Sequence, residues 1–383
     1  MGALDGLIVL DLSRLLPGRF CTTLLADHGA DVIAVEAPLF RNDSLLGEVP
    51  MVMRNKRHLS LDLKSAAGRE IFFKLARDAD VLVEGFRPGV AERLGVGYGS
   101  LRGRNGRIIY CSMTGYGQDG PLSTKAGHDL NYMAASGMLD MVRDREEVPI
   151  MPNFQMAGLS GSLYATMGIL LALAARERTG QGQYIDVSLT DGLVSLLAMP
   201  LAFTFSQQRL PGRPSNRSRD SFACYRVYKT RDEEFLSVGP LEPHLWTGLC
   251  TRLGCPQYAG FQYDLDRQAE ITEHLERLFQ TRALQEWLEI LNHPDDCVAP
   301  VMRVEDLPRD PHLAAREMIR CSGNGIPEPG IAPKLSETPG GFRRPAYRFG
   351  EHTREILTQL GYEVGDIRRL EQEGVIWSDK TSA

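Results

Sequence analysis

A histidine and an aspartate, His128 and Asp129, follow a glycine-rich turn at 115–121 (GYGQDGP). An apolar run at 107–113 predicts a strand before this turn, and small residues at 133–137 predict a helix after it. In open α/β sheets, catalytic and ligand-binding residues lie on the turns that follow the strands. An imidazole both accepts and donates a proton near neutral pH. The pattern predicts that His128 is an acid/base residue and that Asp129 caps the following helix. A core histidine bonded to the backbone is the alternative.

Two basic segments have the residue types that a phosphate-bearing ligand needs. One is 54–57 (RNKR), for which a solvated surface loop is the alternative, and the other is 85–93 (GFRPGVAER). In the second segment a glycine-proline turn leads into a helix, so that backbone amides and guanidinium groups can meet one anion. Together the segments predict a nucleotide-phosphate site at the ends of parallel strands. The candidate cationic residues are Arg54, Arg57, Arg87 and Arg93.

Strand and helix patterns alternate through the first half of the chain, which predicts an α/β fold with a parallel sheet. The predicted strands are 7–12, 31–36, 59–63, 81–84, 107–113 and 183–188. The predicted helices between them are about 20–28, 66–77, 90–94 and 160–176.

A polar stretch rich in Pro, Arg and Ser at 207–219 predicts a mobile connection to a smaller α+β domain. That domain has a hairpin-like pair at 223–229 and 234–238 and three amphipathic helices, at 243–253, 268–279 and 283–292. A proline-rich return leads to a final helix at 351–360. The predicted bounds are a large domain at 1–206, a linker at 207–222, a small domain at 223–320 and a return segment at 321–383.

Composition limits the classes of function. A chain of 383 residues is long enough for two domains, and its net charge of −6 gives no general attraction to nucleic acid or anionic membranes. Seven scattered cysteines without metal-like spacing predict reduced thiols, no metal site and a cytoplasmic location. The N-terminus shows no signal-peptide pattern, and the apolar run at 163–175 is too short to span a bilayer. We therefore expect neither a nucleic-acid nor a membrane partner.

Several ordered motifs resemble those of one superfamily, the family III CoA-transferases and α-methylacyl-CoA racemases. The resemblance covers nearly the whole chain. Its motifs are RNKRHLSLDLKS (54–65), EGFRPGVAERLG (84–95), GYGQDGP (115–121), AGHDLNY (126–132), ARERTGQGQYIDVSL (175–189), PVMRVEDLPRDPHLAAREM (300–318) and GEHTREILTQLGY (350–362).

The resemblance implies a CoA thioester as substrate, with no tightly bound cofactor, and a Rossmann-like large domain completed by the C-terminal helices. It also implies a smaller domain and a dimer of two chains threaded through each other as interlocked rings. The implied CoA contacts are Arg87, Arg93, the Phe86 backbone and Lys125. One departure follows Glu36, where Pro38 replaces the family's phosphate-binding arginine and Arg41 is a possible substitute.

In the racemase branch the histidine of the AGHDxNY motif moves the proton beside the thioester carbonyl, and a glutamate that matches Glu242 orients it. Without the resemblance, Glu242 is a surface carboxylate after a strand. Both branches also place an aspartate just before the helix predicted at 160–176. It is the nucleophile in transferases and the second acid/base group in racemases. Gly158 occupies this position here, or Ala157 if the register shifts by one residue.

Three explanations account for the missing aspartate: another subunit supplies it, it was removed in a natural or engineered variant, or one-base chemistry does not need it. Three functions stay open without it. The first, which we favour, is transfer of CoA between an acyl-CoA and a carboxylate by a subunit that lacks the nucleophile. The chain forms a heterodimer with a homologous subunit that bears the aspartate, or a homodimer. A homodimer with Gly158 should not perform the usual transfer, because the covalent intermediate has no attachment point. The second is racemase-like acid-base chemistry through His128 and Glu242. The third is a catalytically silent CoA-binding subunit.

Overall fold

A seven-stranded sheet organises the larger part of the computed structural model, which describes residues 1–42, 49–144, 146–206, 222–321 and 325–379. Its strand order is β12-β3-β2-β1-β4-β5-β6, and every neighbouring pair is parallel except β12 with β3. Its strands are β1 Ile8–Asp11, β2 Asp31–Glu36, β3 Lys56–Leu61, β4 Val81–Glu84, β5 Ile109–Thr114, β6 Tyr184–Ser188 and β12 Ile376–Trp377. The predicted α/β class with a mainly parallel sheet is confirmed, and the order from β3 to β6 is that of Rossmann-like folds.

Five short strands lie outside this sheet. They are β7 Arg226–Lys229, β8 Phe235–Val238, β9 Val298–Pro300, β10 Ile319–Cys321 and β11 Pro327–Pro329. β7 pairs with β8 as an antiparallel hairpin, as predicted, and β9 adds a third strand that the sequence analysis missed.

The α-helices of the described residues are α1 Leu16–Asp27, α2 Ala66–Asp78, α3 Val90–Leu94, α4 Tyr98–Arg102, α5 Asp129–Ser136, α6 Met156–Thr179, α7 Leu189–Leu196, α8 Ala198–Phe205, α9 Pro243–Arg252, α10 Gln268–Phe279, α11 Leu284–Ile290, α12 Pro311–Ala315, α13 Thr353–Gln359 and α14 Val364–Gln372. Besides β9, the strands and α-helices that the sequence did not predict are α4, α7, α8, α12, α14, β10, β11 and β12.

The described residues divide into two compact units. The larger unit comprises Met1–Met138, Pro152–Ser195 and the residues from Pro311 onward, and the smaller comprises Leu139–Met151 and Leu196–Asp310. The core of the larger unit packs apolar strand residues against α2, α13 and α14, and the smaller unit has a core of its own around Trp246. The domain bounds given by the sequence stay a prediction. The predicted linker, apart from Phe222, lies outside the described residues.

The third strand begins earlier than predicted. β3 starts at Lys56 rather than 59, so Lys56 and Arg57 belong to a strand whose six residues are all buried. Segment 54–57 is therefore not a solvated loop. The strand extends because residues 56–60 pair with β2 through five consecutive positions.

The long helix α6 also exceeds its prediction, with 24 residues against the 17 of 160–176. It ends at Thr179, and the next residue, Gly180, has a φ of 70°, the left-handed conformation that terminates helices. Within the described part of the chain, α6 is the one helix long and apolar enough to cross a membrane, a test that core helices of soluble proteins also pass. This is weak evidence for a membrane segment.

Candidate active site

The candidate residues of the larger unit follow the carboxyl ends of neighbouring parallel strands. β4 ends at Glu84 and continues into the turn 85–89, which opens α3. β5 ends at Thr114 and continues through 115–128 into α5. β4 and β5 are adjacent in the sheet, so both connections leave the same edge.

His128 is exposed and immediately precedes α5 as its N-cap residue. Its backbone N–H donates to Asn131 Oδ1 at 3.0 Å, which fixes the start of the helix. Its imidazole has no hydrogen-bond partner in the described part of the chain. This environment differs from that of a core histidine and leaves both ring nitrogens available.

Asp129 caps a different helix from the one predicted. It is the first residue of α5, and its Oδ1 accepts a hydrogen bond at 2.8 Å from the backbone N–H of Gly158, in the first turn of α6. The prediction that Asp129 caps the following helix is wrong, because His128 occupies that position. Capping across the structure also explains why α6 begins four residues before the predicted start at 160.

The position of the missing aspartate is buried and carries no acid. A Cβ atom on Gly158 would lie 3.3 Å from Pro17 Cγ and 3.7 Å from Asp129 Oδ1. Ala157 is fully buried as well. The other carboxylate oxygen of Asp129, Oδ2, is buried and has no partner among the described residues. A side chain at 158 would therefore enter a site that already holds one carboxylate.

Three predicted CoA contacts are exposed cations. Arg87, Arg93 and Lys125 are exposed, and their side chains form no ion pair or hydrogen bond with the described residues. The Arg93 Nη1 atom lies 3.3 Å from where a Cβ of Gly89 would stand, and Gly89 has a φ of 79°. The left-handed backbone favours glycine at this turn, whereas the exposed Arg93 side chain could move aside.

The other two predicted cationic contacts, Arg54 and Arg57, face carboxylates of the same chain. Arg54 Nη2 lies 2.7 Å from Asp27 Oδ2. Arg57 bonds Asp31 through Nε at 3.0 Å and Glu355 through Nη1 at 3.2 Å. Both arginines are buried. Since their donors are engaged, we assign them to the fold and not to a phosphate site.

Lys56, between these arginines, is fully buried. Its ammonium group lies 3.2 Å from Asp11 Oδ2 and also donates to Thr22 Oγ1 and the Arg19 carbonyl. Burial lowers the pKa of Lys56 to about 8, although the attraction of Asp11 acts in the opposite direction. Burial disfavours ionised Asp11 too, but the adjacent Lys56 keeps its pKa below the ordinary value.

A buried carboxylate that sequence reasoning missed, Glu84, supports the turn 85–89. Its Oε2 accepts from the Phe86 backbone N–H at 2.6 Å, and its Oε1 accepts from the Ser112 hydroxyl. Burial raises the pKa of Glu84 to about 7. The sequence does place an acidic residue at the end of an apolar strand, at the start of the motif 84–95. The sequence analysis considered only the arginines of that motif.

Glu242 lies in the smaller unit as the N-cap residue of α9. It is exposed, and its side chain has no ion pair or hydrogen bond in the described part of the chain. Its predicted pairing with His128 stays a prediction. Within the described residues, no group of three or more histidine, cysteine, aspartate or glutamate side chains is placed to hold a metal ion.

Comparisons with known proteins find similarity along nearly the whole chain. The model of CoA-transferase family III matches residues 4–353. The chain is 36% identical to human alpha-methylacyl-CoA racemase, covering 100% of the chain and 99% of the relative. It is 34% identical to acetyl-CoA:oxalate CoA-transferase of Acetobacter aceti, over 90% of the chain and 92% of the relative. The crystal structure of a CAIB/BAIF family protein from Brucella suis superposes with a TM-score of 0.81 and 27% identity, over 94% of this chain and 99% of that one.

Proposed function

Because the chain belongs to CoA-transferase family III, an acyl-CoA-processing family of enzymes, we propose that it removes and returns a proton beside the thioester carbonyl of an acyl-CoA. The observation that carries this proposal is the free imidazole of His128 at the start of α5. The next residue, Asp129, accepts a hydrogen bond from Gly158, and Gly158 has no side chain that could act as a nucleophile. Proton transfer needs one base, whereas covalent transfer of an acyl group needs an attacking atom.

In the proposed reaction, one carbon of the substrate loses a proton and then regains one. The imidazole of His128 takes the proton from the carbon next to the carbonyl, and the electron pair moves to the thioester oxygen as an enolate. The backbone N–H of Asp129, in the first turn of α5, is a suitable donor to that oxygen. Return of the proton restores the acyl-CoA. With a base on one face only, exchange proceeds without efficient inversion.

The CoA moiety is assigned to the exposed cations Arg87, Arg93 and Lys125, together with the backbone carbonyl of Phe86, since Glu84 holds the Phe86 N–H. Charged phosphates match guanidinium and ammonium donors that have no partner within the described chain. Glu242 is proposed to orient the His128 imidazole by accepting one of its N–H groups. This would leave the other nitrogen to take the substrate proton.

Deuterium exchange tests the chemistry. The purified chain, incubated with a 2-methylacyl-CoA in deuterated water, should gain one deuterium in the acyl group by mass spectrometry. Exchange should fall about 100-fold or more in His128→Ala, as expected on loss of a general base. The decrease in Glu242→Gln should be smaller, because only imidazole orientation is disturbed. Exchange that survives His128→Ala would exclude His128 as the base.

A second candidate is the transferase subunit favoured by the sequence, in which a homologous partner supplies the aspartate. α6 leaves four apolar side chains exposed by 43–63%: Leu163, Met167, Leu170 and Leu171. A face of this kind favours burial against another chain, and we propose a homodimer or heterodimer, with interlocking of the two chains as the resemblance implies. Five of the seven cysteines are buried and all are free thiols, which supports a cytoplasmic location.

An aspartate introduced at position 158 distinguishes the proton-transfer enzyme, the transferase subunit and the silent CoA-binding subunit. Gly158→Asp should form a covalent CoA or acyl adduct with a suitable acyl-CoA if the pocket is otherwise that of a transferase. Gly158→Asn, of nearly the same size, is the matched control and should form none. The unmodified chain should form an adduct only on an aspartate-bearing partner, which intact-mass analysis of the purified complex would detect. Retained CoA affinity without exchange or adduct would identify a silent CoA-binding subunit.

A further inference from the structure

A chain of hydrogen bonds joins the two loops that carry the candidate residues of the larger unit. It starts at the backbone N–H of Phe86, which donates to Glu84 at 2.6 Å. Ser112 donates to the other oxygen of Glu84 and accepts from Gln118 Nε2 at 2.7 Å. The backbone N–H of Gln118 then donates to Asp186 Oδ2 at 3.0 Å. Glu84 thus sits between the turn 85–89 and the glycine-rich turn 115–121.

Glu84 has no cationic partner in the described part of the chain, although it is only 4% exposed. The charged side chains that act on it, Glu92 from α3 and Asp186 from β6, are negative, and the nearby tyrosines are Tyr110 of β5 and Tyr184 of β6. Burial raises the pKa of Glu84 to about 7, and these two acids act in the same direction, while the hydrogen bonds from Ser112 and Phe86 act against it. A carboxyl group in this setting is readily protonated near neutral pH.

We propose that Glu84 is a positioning residue that holds the turn 85–89 for the nucleotide end of CoA, and that it takes up a proton when this polyanion binds. The inference rests on the proposed binding of CoA by Arg87 and Arg93. Phosphates brought to this turn add negative charge near Glu84 and so favour its neutral form.

The turn keeps its support in either protonation state. In the neutral acid, Oε2 remains a carbonyl oxygen that accepts from Phe86, and the new hydroxyl on Oε1 donates to Ser112 Oγ. The Ser112 proton can then turn to the Tyr184 hydroxyl, with which Ser112 also interacts. Glutamine reproduces the neutral arrangement, since its oxygen can accept from Phe86 and its amide can donate to Ser112.

Calorimetry on the full chain tests both parts of the proposal. Titration of CoA at pH 7 in two buffers of different ionisation enthalpy should show uptake of a fraction of a proton by the wild type and none attributable to this site in Glu84→Gln. Glu84→Gln should keep its CoA affinity within about 2-fold. Glu84→Ala should bind CoA about 10-fold more weakly, as expected for loss of one hydrogen bond to a charged acceptor.

A probe without the nucleotide supplies the control. Acetyl-pantetheine should bind Glu84→Ala and wild type equally, because it does not reach the turn. Equal weakening of both probes would show a general structural role and overturn the proposal, as would proton uptake that persists in Glu84→Gln. If Glu84→Ala denatures, Ser112→Ala reports on the same network. Failure of the underlying CoA site is distinguished by Arg87→Ala, which would then leave CoA affinity unchanged.

Discussion

Two arginine-bearing segments of the larger unit look alike in sequence and differ in structure. In 54–57 the side chains of Arg54, Lys56 and Arg57 are buried, and each lies within 3.2 Å of a carboxylate oxygen. In 85–93 the side chains of Arg87 and Arg93 are exposed and make no ion pair or hydrogen bond with the described residues. The first segment holds the fold together, whereas the second is free to meet a ligand.

The two segments differ because acidic residues from distant parts of the chain pair with the first one. Asp11, Asp27 and Asp31 come from the first strands and helix, and Glu355 comes from α13, about 300 residues after Arg57. A local motif does not reveal whether such partners will be present. A basic cluster inside a strand is therefore better evidence of internal pairing than of ligand binding, whereas a basic turn after a strand retains its charge for solvent or substrate.

The largest effect should come from Lys56→Met. It leaves Asp11 buried without its cation, and we expect the free energy of unfolding to fall by about 3–5 kcal/mol, as for other broken buried pairs. Urea denaturation at pH 7 measures it. The double variant with Asp11→Asn removes both charges and should recover part of the loss. A single variant as stable as wild type would contradict the structural role of this segment.

Glu84 is a buried carboxylate without a cationic partner among the described residues, in contrast to the paired charges of segment 54–57. Its pKa is about 7 in the folded chain against an ordinary value of 4.5, so between these pH values the folded state holds more protons than the unfolded state. Stability from this group is therefore present below pH 4.5 and is lost as the pH rises through 7. Glu84→Gln does not titrate, and between pH 5 and pH 8 it should gain up to about 3 kcal/mol relative to wild type. Parallel pH curves of unfolding free energy would contradict this.

Arg87→Ala should show the pattern opposite to that of segment 54–57. We expect CoA affinity to weaken by about 1–3 kcal/mol through loss of a charge-assisted contact. Thermal stability should not change, because this side chain contacts no described acid. Arg54→Ala is the matched control, and it should lower the melting temperature. Unchanged CoA affinity by calorimetry in the double variant Arg87→Ala/Arg93→Ala would reject the proposed site.

The smallest effect is expected for Lys125→Ala. A single exposed lysine on a flexible stem gives a weak, salt-screened contact, worth about 1 kcal/mol or less. Its contribution to CoA affinity should disappear when the ionic strength is raised to about 0.5 M, whereas the effect of Arg87→Ala should persist in part. Equal salt dependence of both variants would remove the distinction between these two contacts.

The sequence predicted the parallel core well because β1, β2, β4 and β5 are short apolar runs with buried residues throughout most of their length. It failed where a partner lies far along the chain. Asp129 was assigned to the nearest helix, but its acceptor oxygen serves Gly158, 29 residues later. Arg54 and Arg57 were assigned to a ligand because the acids that bind them are not adjacent in sequence. Glu84 was overlooked because burial, which gives it its chemistry, is a tertiary property.

The late arrival of β12 and α13 beside β3 has a consequence for biosynthesis. Ser60 of β3 donates its backbone N–H to Thr353, 293 residues later, and Leu61 faces Ile376 across the antiparallel pair. While the chain emerges from the ribosome, the outer edge of β3 has no strand to pair with until nearly all of these residues have been made. The segment that forms most of the smaller unit emerges earlier and has its own core. We expect that unit to fold first and the nascent sheet to depend on chaperones to protect its open edge.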